Sequence, residues 1–304
     1  MSKTQLSDGQ FPTYAAYDCT MTDRRKLDST PFGTASILYS LQFVSNSSTS
    51  SLIKNGLSFL LDERLDQSLW KYWTKDGPNI IDPKDIDPDL DDTCCCSAVL
   101  NLFQSYDCTQ ENRDLILANR DDDGLFKTWI RSADAPNDID SVVNSNVIWY
   151  LGECPETDVI CDYLQNIVAS GQEAQSSWYY PGSMTLYYAI SRAYANGVQC
   201  LATVRDTIIQ RLTEQQHPSG AWHNSLETAY AIATLLNFEA IQFPGLAAAI
   251  AYLLAQQQPD GSWPNCAAWA GPEPPTPHAV WWGSEALTTG ICLEGLARYA
   301  ALAP

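Results

Sequence analysis

The feature that most restricts the fold is an alternation of two kinds of helix-length segment. One kind is rich in small, apolar and aromatic residues, with polar groups gathered at its start. It occupies residues 33–43, 91–103, 144–151, 183–194, 225–236 and 284–299. The other kind is amphipathic, as in 50–65, 158–169, 198–215 and 246–257. Apolar residues recur at helical spacing in both, and the alternating β-branched runs that mark strands are missing. Segments apolar on all sides belong inside, and amphipathic ones form an outer layer. Six inner segments interleaved with outer ones predict an all-α chain: a single (α/α)6 barrel over residues 31–304, with residues 1–30 as an N-terminal extension.

Two loops repeat, as repeat architectures require. Gln216-His-Pro-Ser-Gly-Ala-Trp222 matches Gln257-Gln-Pro-Asp-Gly-Ser-Trp263, and Asp123-Gly-Leu-Phe126 followed by Trp129 is a weaker echo. Glycine supplies the turn after an outer helix, glutamine can bond free carbonyls at the helix end, and tryptophan serves as a staple between neighbouring repeats. These loops are read as structural.

Charge excludes several functions. The chain has 17 basic and 36 acidic residues, a net charge of −19. Nucleic acids and anionic membrane surfaces both need a basic face. The N-terminus lacks the pattern of a signal peptide, and no apolar run reaches the length of a membrane span. These features predict a cytoplasmic protein without a stable membrane anchor, visiting a membrane transiently at most. Ten cysteines, three of them consecutive at Cys94, Cys95 and Cys96, form no C-x-x-C pair. They read as small buried hydrophobes in a reducing compartment. His217, His223 and His278 lack the spacing of a zinc site, so neither a metal nor a cofactor is expected.

Parallel inner helices bring all their N-termini to one end of the barrel. The second begins in Asp82-Pro-Lys-Asp-Ile-Asp-Pro-Asp-Leu-Asp-Asp-Thr93 and runs straight into the apolar stretch 94–103. A solvated acidic loop would not lead into a buried helix this way. Crowded carboxyls in a low-dielectric site cannot all ionise, so Asp89 and Asp92 raise the pKa of Asp91 and keep its proton on. Such a group is a Brønsted acid. Its conjugate base needs a hydrogen-bond donor, for which Asn144 or Asn146 is placed on the third inner helix.

Asp89-Leu-Asp-Asp-Thr93 resembles the D-x-D-D-T acid motif of class II terpene cyclases, which include squalene–hopene cyclases. The two glycine–tryptophan loops are similar to that superfamily's Q-W repeats. Ser225-Leu-Glu-Thr-Ala-Tyr230 and Trp282-Gly-Ser-Glu-Ala-Leu-Thr-Thr289 resemble its inner-helix starts. One barrel without a second domain matches the monodomain cyclases that build meroterpenoids, such as those of merosterolic acid synthesis. The resemblance implies Asp91 as general acid with Asp89 and Asp92 as anchors. It also implies a hydrophobic substrate: a farnesyl or geranylgeranyl chain on a dihydroxybenzoate.

Cyclisation by protonation needs aromatic faces to stabilise cations. The candidates are Trp70, Trp73, Trp149, Tyr150, Trp178, Tyr179, Tyr180, Trp281 and Trp282. His223, Glu227 and Glu285 are candidates for the terminating base. A diphosphate-bearing substrate conflicts with the acidic charge. Asp121-Asp-Asp-Gly-Leu125 fails the D-D-x-x-D spacing of metal-triggered synthases. The ligand pattern of protein prenyltransferases is not found. The alternatives are a class II diterpene diphosphate cyclase and a non-catalytic lipid-binding barrel.

Overall fold

A computed structural model describes residues 4–22, 24–44 and 47–302. Its helices are α1 (Pro31–Leu41), α2 (Ser47–Glu63), α3 (Leu90–Leu102), α4 (Thr109–Ala118), α5 (Ser141–Leu151), α6 (Asp158–Ser170), α7 (Met184–Ala195), α8 (Arg205–Gln215), α9 (Ser225–Asn237), α10 (Leu246–Gln256) and α11 (Glu285–Ala300). The odd-numbered helices are the six expected inner segments. α1 packs on α3, α3 on α5, α5 on α7, α7 on α9, α9 on α11, and α11 back on α1.

Most inner helices are buried even at their first turn, so their free N–H groups need partners inside the protein. Side chains of Thr30, Asp89, Asp140, Asn224 and Ser284 supply them at the starts of α1, α3, α5, α9 and α11. The outer helices α4, α6, α8 and α10 have no such cap. Capping here follows burial of the helix end, because an exposed N–H can bond water.

The tryptophan loops form one repeated device. The indole N–H of Trp222 donates to the Leu212 carbonyl at 2.9 Å, and that of Trp263 to Leu253 at 2.7 Å. Their backbone N–H groups donate to Thr228 and Thr289 hydroxyls on the next inner helix. Trp70 repeats both contacts, with Leu60 and Thr93. Phe126 occupies the corresponding place, its N–H donating to Asn144 Oδ1 at 3.0 Å, and Phe11 does so with Thr34. Trp70, expected at the cavity, is therefore a staple. In the weaker echo the staple is Phe126, which leaves Trp129 free for another task. Gly220 sits at φ +90, and a Cβ there would lie 2.4 Å from the Ala248 carbonyl oxygen. Only glycine fits that approach. Gln216 bonds the carbonyls of Gly220 and Gly245, as anticipated.

The described residues are mostly helical, as expected, but not wholly so. Four short strands, β1 (Tyr14–Ala16), β2 (Lys26–Leu27), β3 (Trp269–Gly271) and β4 (Val280–Gly283), form an antiparallel sheet in the order β2-β1-β4-β3. Strands of two to four residues are too short to display a period-two pattern. The 1–30 segment, expected as an extension, contributes a staple loop and two strands to this frame. Cys94, Cys95 and Cys96 are buried as expected, but Cys161 and Cys200 form a disulfide that ties α6 to the turn before α8. The reduced reading fails for that pair. Among the described residues no helix is long and apolar enough to cross a membrane.

Trp222→Ala should lower unfolding free energy by ~3–5 kcal/mol, as loss of buried aromatics does. Thr93→Val, which leaves the Trp70 N–H without a partner, should cost about 1–2 kcal/mol. Chemical denaturation of both variants measures these losses.

Candidate active site

The acids lie where the inner helices begin. Asp89 caps α3 by accepting from the Asp92 N–H at 2.7 Å. Its own N–H donates to the Trp70 carbonyl, and Leu90 N–H to that of Thr128, so two loops pin the helix start. Asp89, Asp91 and Asp92 are 4%, 8% and 3% exposed, with Asp91 the most open of the three. Burial raises all three carboxyl groups. Asp89 is pushed up to about 7. Asp92, faced by both other carboxyls, is held well above the usual range. Asp91 is raised by burial and drawn back by Tyr180, Asn146 and the nearby Arg192. The expectation that repulsion protonates only the middle residue is thus too narrow, because desolvation acts on the whole cluster.

Two donors hold Asp91. Tyr180 O–H bonds Oδ2, and the Asn146 Nδ2–H bonds Oδ1. Asn144 serves elsewhere. Its amide bonds both backbone groups of Phe126 and the Asp140 carbonyl, so it is a staple partner and gives nothing to the acid.

A cavity of about 240 Å³ opens beside the three acids. Its aromatic wall comprises Phe32, Tyr72, Trp73, Trp129, Tyr179, Tyr180, Trp269 and Trp282. Of the expected aromatics, Trp73, Tyr179, Tyr180 and Trp282 line it. Trp149 lies beneath the Arg192 guanidinium, 3.9 Å from its ring centre. Tyr150 bonds Asn112. Trp178 sits on the outside, bonded to the Pro272 carbonyl and packed on His278. These three have packing roles that periodicity alone could not separate from cavity lining.

A second cavity of about 190 Å³ holds Trp281, His223 and Glu227, and Trp269 belongs to both walls. Burial raises the Glu227 carboxyl. The two base candidates thus face a chamber adjoining the acid's. Glu285 faces neither, pairing with Arg25 at 2.6 Å.

Sequence reasoning missed two buried carboxylates that position the wall. Asp28 accepts from the indoles of Trp73 at 2.9 Å and Trp282 at 2.6 Å. Asp140 caps α5 and accepts from Ser177 Oγ and the Trp178 N–H, while Ser177 Oγ accepts from the Tyr180 N–H. That chain of contacts sets Tyr180 against Asp91. Burial pushes Asp140 up to about 6. An aspartate just before an apolar helix is a signal that could have revealed its capping role, though not its second set of partners. Arg131, the basic residue on the cavity wall, spans its mouth between Asp87 (3.0 Å) and Glu273 (3.1 Å) and lies over Trp129.

No family model matches the chain, and no curated protein matches it. Solved structures do. The type II terpene cyclase MstE from Scytonema, as a variant in complex with geranylgeranyl dihydroxybenzoate, is 17% identical; the alignment covers 98% of this chain and 94% of that one, TM-score 0.71. A protein from Actinoplanes is 16% identical over 98% and 96%, TM-score 0.73. The ent-copalyl diphosphate synthase from Streptomyces platensis is 17% identical over 89% of this chain and 50% of its own, TM-score 0.62. The chain therefore has the class II terpene cyclase fold.

Asp89 and Asp140 hold protons that their unfolded forms release above about pH 4, near the ordinary value of 3.8. Between about pH 4 and 7 the unfolded chain binds fewer protons, so stability falls as pH rises. Asp89→Asn keeps a good cap and removes one carboxyl. Its Tm, followed by calorimetry from pH 4 to 8, should decline less steeply than the wild type's; parallel curves would show that the cluster carries no such penalty.

Proposed function

We propose that the protein is a protonation-initiated terpene cyclase, built on a six-hairpin (α/α)6 barrel, that cyclises the prenyl chain of a farnesyl- or geranylgeranyl-substituted dihydroxybenzoate. The observation that carries this reading is a cluster of three buried carboxyls, its most open member facing an aromatic chamber.

Asp91 is the general acid. Its proton passes to the hydrogen-bearing carbon of the chain's distal double bond, leaving a tertiary cation at the dimethyl-substituted carbon and the Asp91 carboxylate. Further double bonds attack in turn, and loss of a proton ends the sequence, so the product is an isomer of the substrate. The acid is strong only if its conjugate base is stabilised. The Tyr180 O–H and Asn146 N–H are both directed at that carboxylate, and a charged acceptor strengthens such bonds. Asp89 and Asp92 anchor the helix start and keep the cluster protonated. Aromatic faces around the chamber stabilise the moving cation by roughly 1–2 kcal/mol each without supplying a nucleophile. Exclusion of water protects the cation from early capture.

The head group belongs at the mouth. Arg131 is the cation there, and two carboxylates already engage it. A singly charged benzoate can share it, whereas a diphosphate would meet Asp85, Asp87 and Glu273 as well. That balance favours the aromatic acid over a diphosphate. His223 or Glu227 takes the final proton if the chain extends past Trp269.

Incubation with geranylgeranyl dihydroxybenzoate in EDTA should yield a cyclised isomer, detected by mass spectrometry and NMR. Asp91→Asn should abolish it while leaving the circular dichroism spectrum unchanged; normal turnover by that variant would sink the assignment. Tyr180→Phe, which removes one of two donors, should lower kcat about 10–100-fold. Activity confined to diphosphates and dependent on Mg²⁺ would instead identify a diphosphate cyclase.

A further inference from the structure

Asn146 stands between two groups. Its Nδ2–H donates to Asp91, and its Oδ1 accepts from an Arg192 Nη of α7. The two ends of an asparagine amide are nearly alike in size, so packing alone does not decide which end faces Asp91. Chemistry does. A guanidinium has five donors and no acceptor, so it takes only the oxygen.

Arg192 is unusually placed for this. It is 6% exposed, with its guanidinium lying over Trp149 and near the rings of Tyr39 and Tyr188. Among the described residues no carboxylate lies within salt-bridge distance of it. Glu294, whose charge acts on it, is held by Tyr188, Ser40 and Arg298. The Arg192 Nε has no partner. A buried cation without a paired carboxylate is costly, and its direct side-chain hydrogen bond is the one to Asn146. Packing against aromatics alone would be served by a neutral residue.

We propose that Arg192 is a positioning residue that locks the Asn146 amide, so that a donor always faces Asp91. With the amide reversed, Oδ1 would accept the proton of neutral Asp91 and retain it. With the amide locked, the proton lies on the Oδ2 side, next to Tyr180, and the carboxylate left behind always finds the Nδ2–H. This deepens the protonation reading above and rests on it for its catalytic meaning, but not for its test.

The test follows the titration of Asp91 in the protein without substrate, by infrared difference spectra of the carboxyl band assigned with Asp91→Asn. The groups facing Asp91 are Asp89 at the cap of α3, Asp92, Cys94 and Cys95 on α3, Asp140 before α5, Tyr180 before α7, and Arg192. All but Arg192 stay constant. Arg192→Gln should raise the Asp91 midpoint by about one unit, a tenfold weaker acid. Asn146→Ala should raise it similarly, and the double variant no further than Asn146→Ala. An equal shift from Arg192→Gln with and without Asn146 would mean that the arginine acts by charge alone, and no shift would mean that it does not act; either overturns the proposal. A second arm needs no arginine variant. In the wild type the Asn146 side-chain NH₂ resonance, assigned with Asn146→Ala, should move with the Asp91 titration; an immobile resonance also overturns it. If the cycle couples but no prenylated aromatic is cyclised, the lock stands and the cyclase reading falls.

Discussion

Burial of three carboxyl groups at one helix start is the constraint around which the rest of the molecule is arranged. Water would ionise them, and a low-dielectric site holds protons on them instead. That state requires a dry wall, and the wall is aromatic. It also requires a rigid support, because crowded acids would otherwise separate. The support comes from α3 itself, capped by Asp89, and from donors on two other inner helices or their leading loops. Asn146 and Tyr180 reach one carboxylate from different directions. Each is held by a further buried polar group: Arg192 for one, and Asp140 through Ser177 for the other. Acid strength in this site is thus a property of several helices together.

The frame that allows this is repetitive. Five aromatic residues, Phe11, Trp70, Phe126, Trp222 and Trp263, each donate a backbone N–H to a side chain near the start of an inner helix. The three tryptophans also tie back to the preceding outer helix. One chemical rule, repeated at five of the six inner helices, sets the height of each of the five. The acids and the asparagine are thereby brought to one level, where hydrogen bonds join them and the tyrosine.

Much of this was legible in the sequence, and the gaps have physical reasons. The inner segments were visible because helices buried on all sides carry little charge after their first turn. Asp89, Asp91 and Asp92 were visible because acids leading into such a helix contradict its burial. Trp70 was hidden because its loop lacks the expected glycine: Gln67 and Ser68 adopt positive φ in its place. Asn144 and Asn146 are two residues apart on one helix, and only coordinates show that one faces a loop and the other the acid. Trp149 and Trp178 fit any aromatic-lining pattern, yet one covers a guanidinium and the other packs on a histidine outside. The sheet could not be read from strands so short. Asp28 stood in a segment that looked peripheral, although it anchors two indoles of the chamber wall.

The pairing of β1 with β4 joins residues 14–16 to 281–283, and α1 packs against α11. The wall beside the acids therefore depends on a pairing between segments far apart in sequence. β1 has no β4 to pair with until every helix from α1 to α10 has been made. Trp282, which lines the chamber, is carried by β4. Closure of the aromatic cavity thus waits on a contact that bridges ten helices, and the acids gain their dry surroundings late in the folding of these residues.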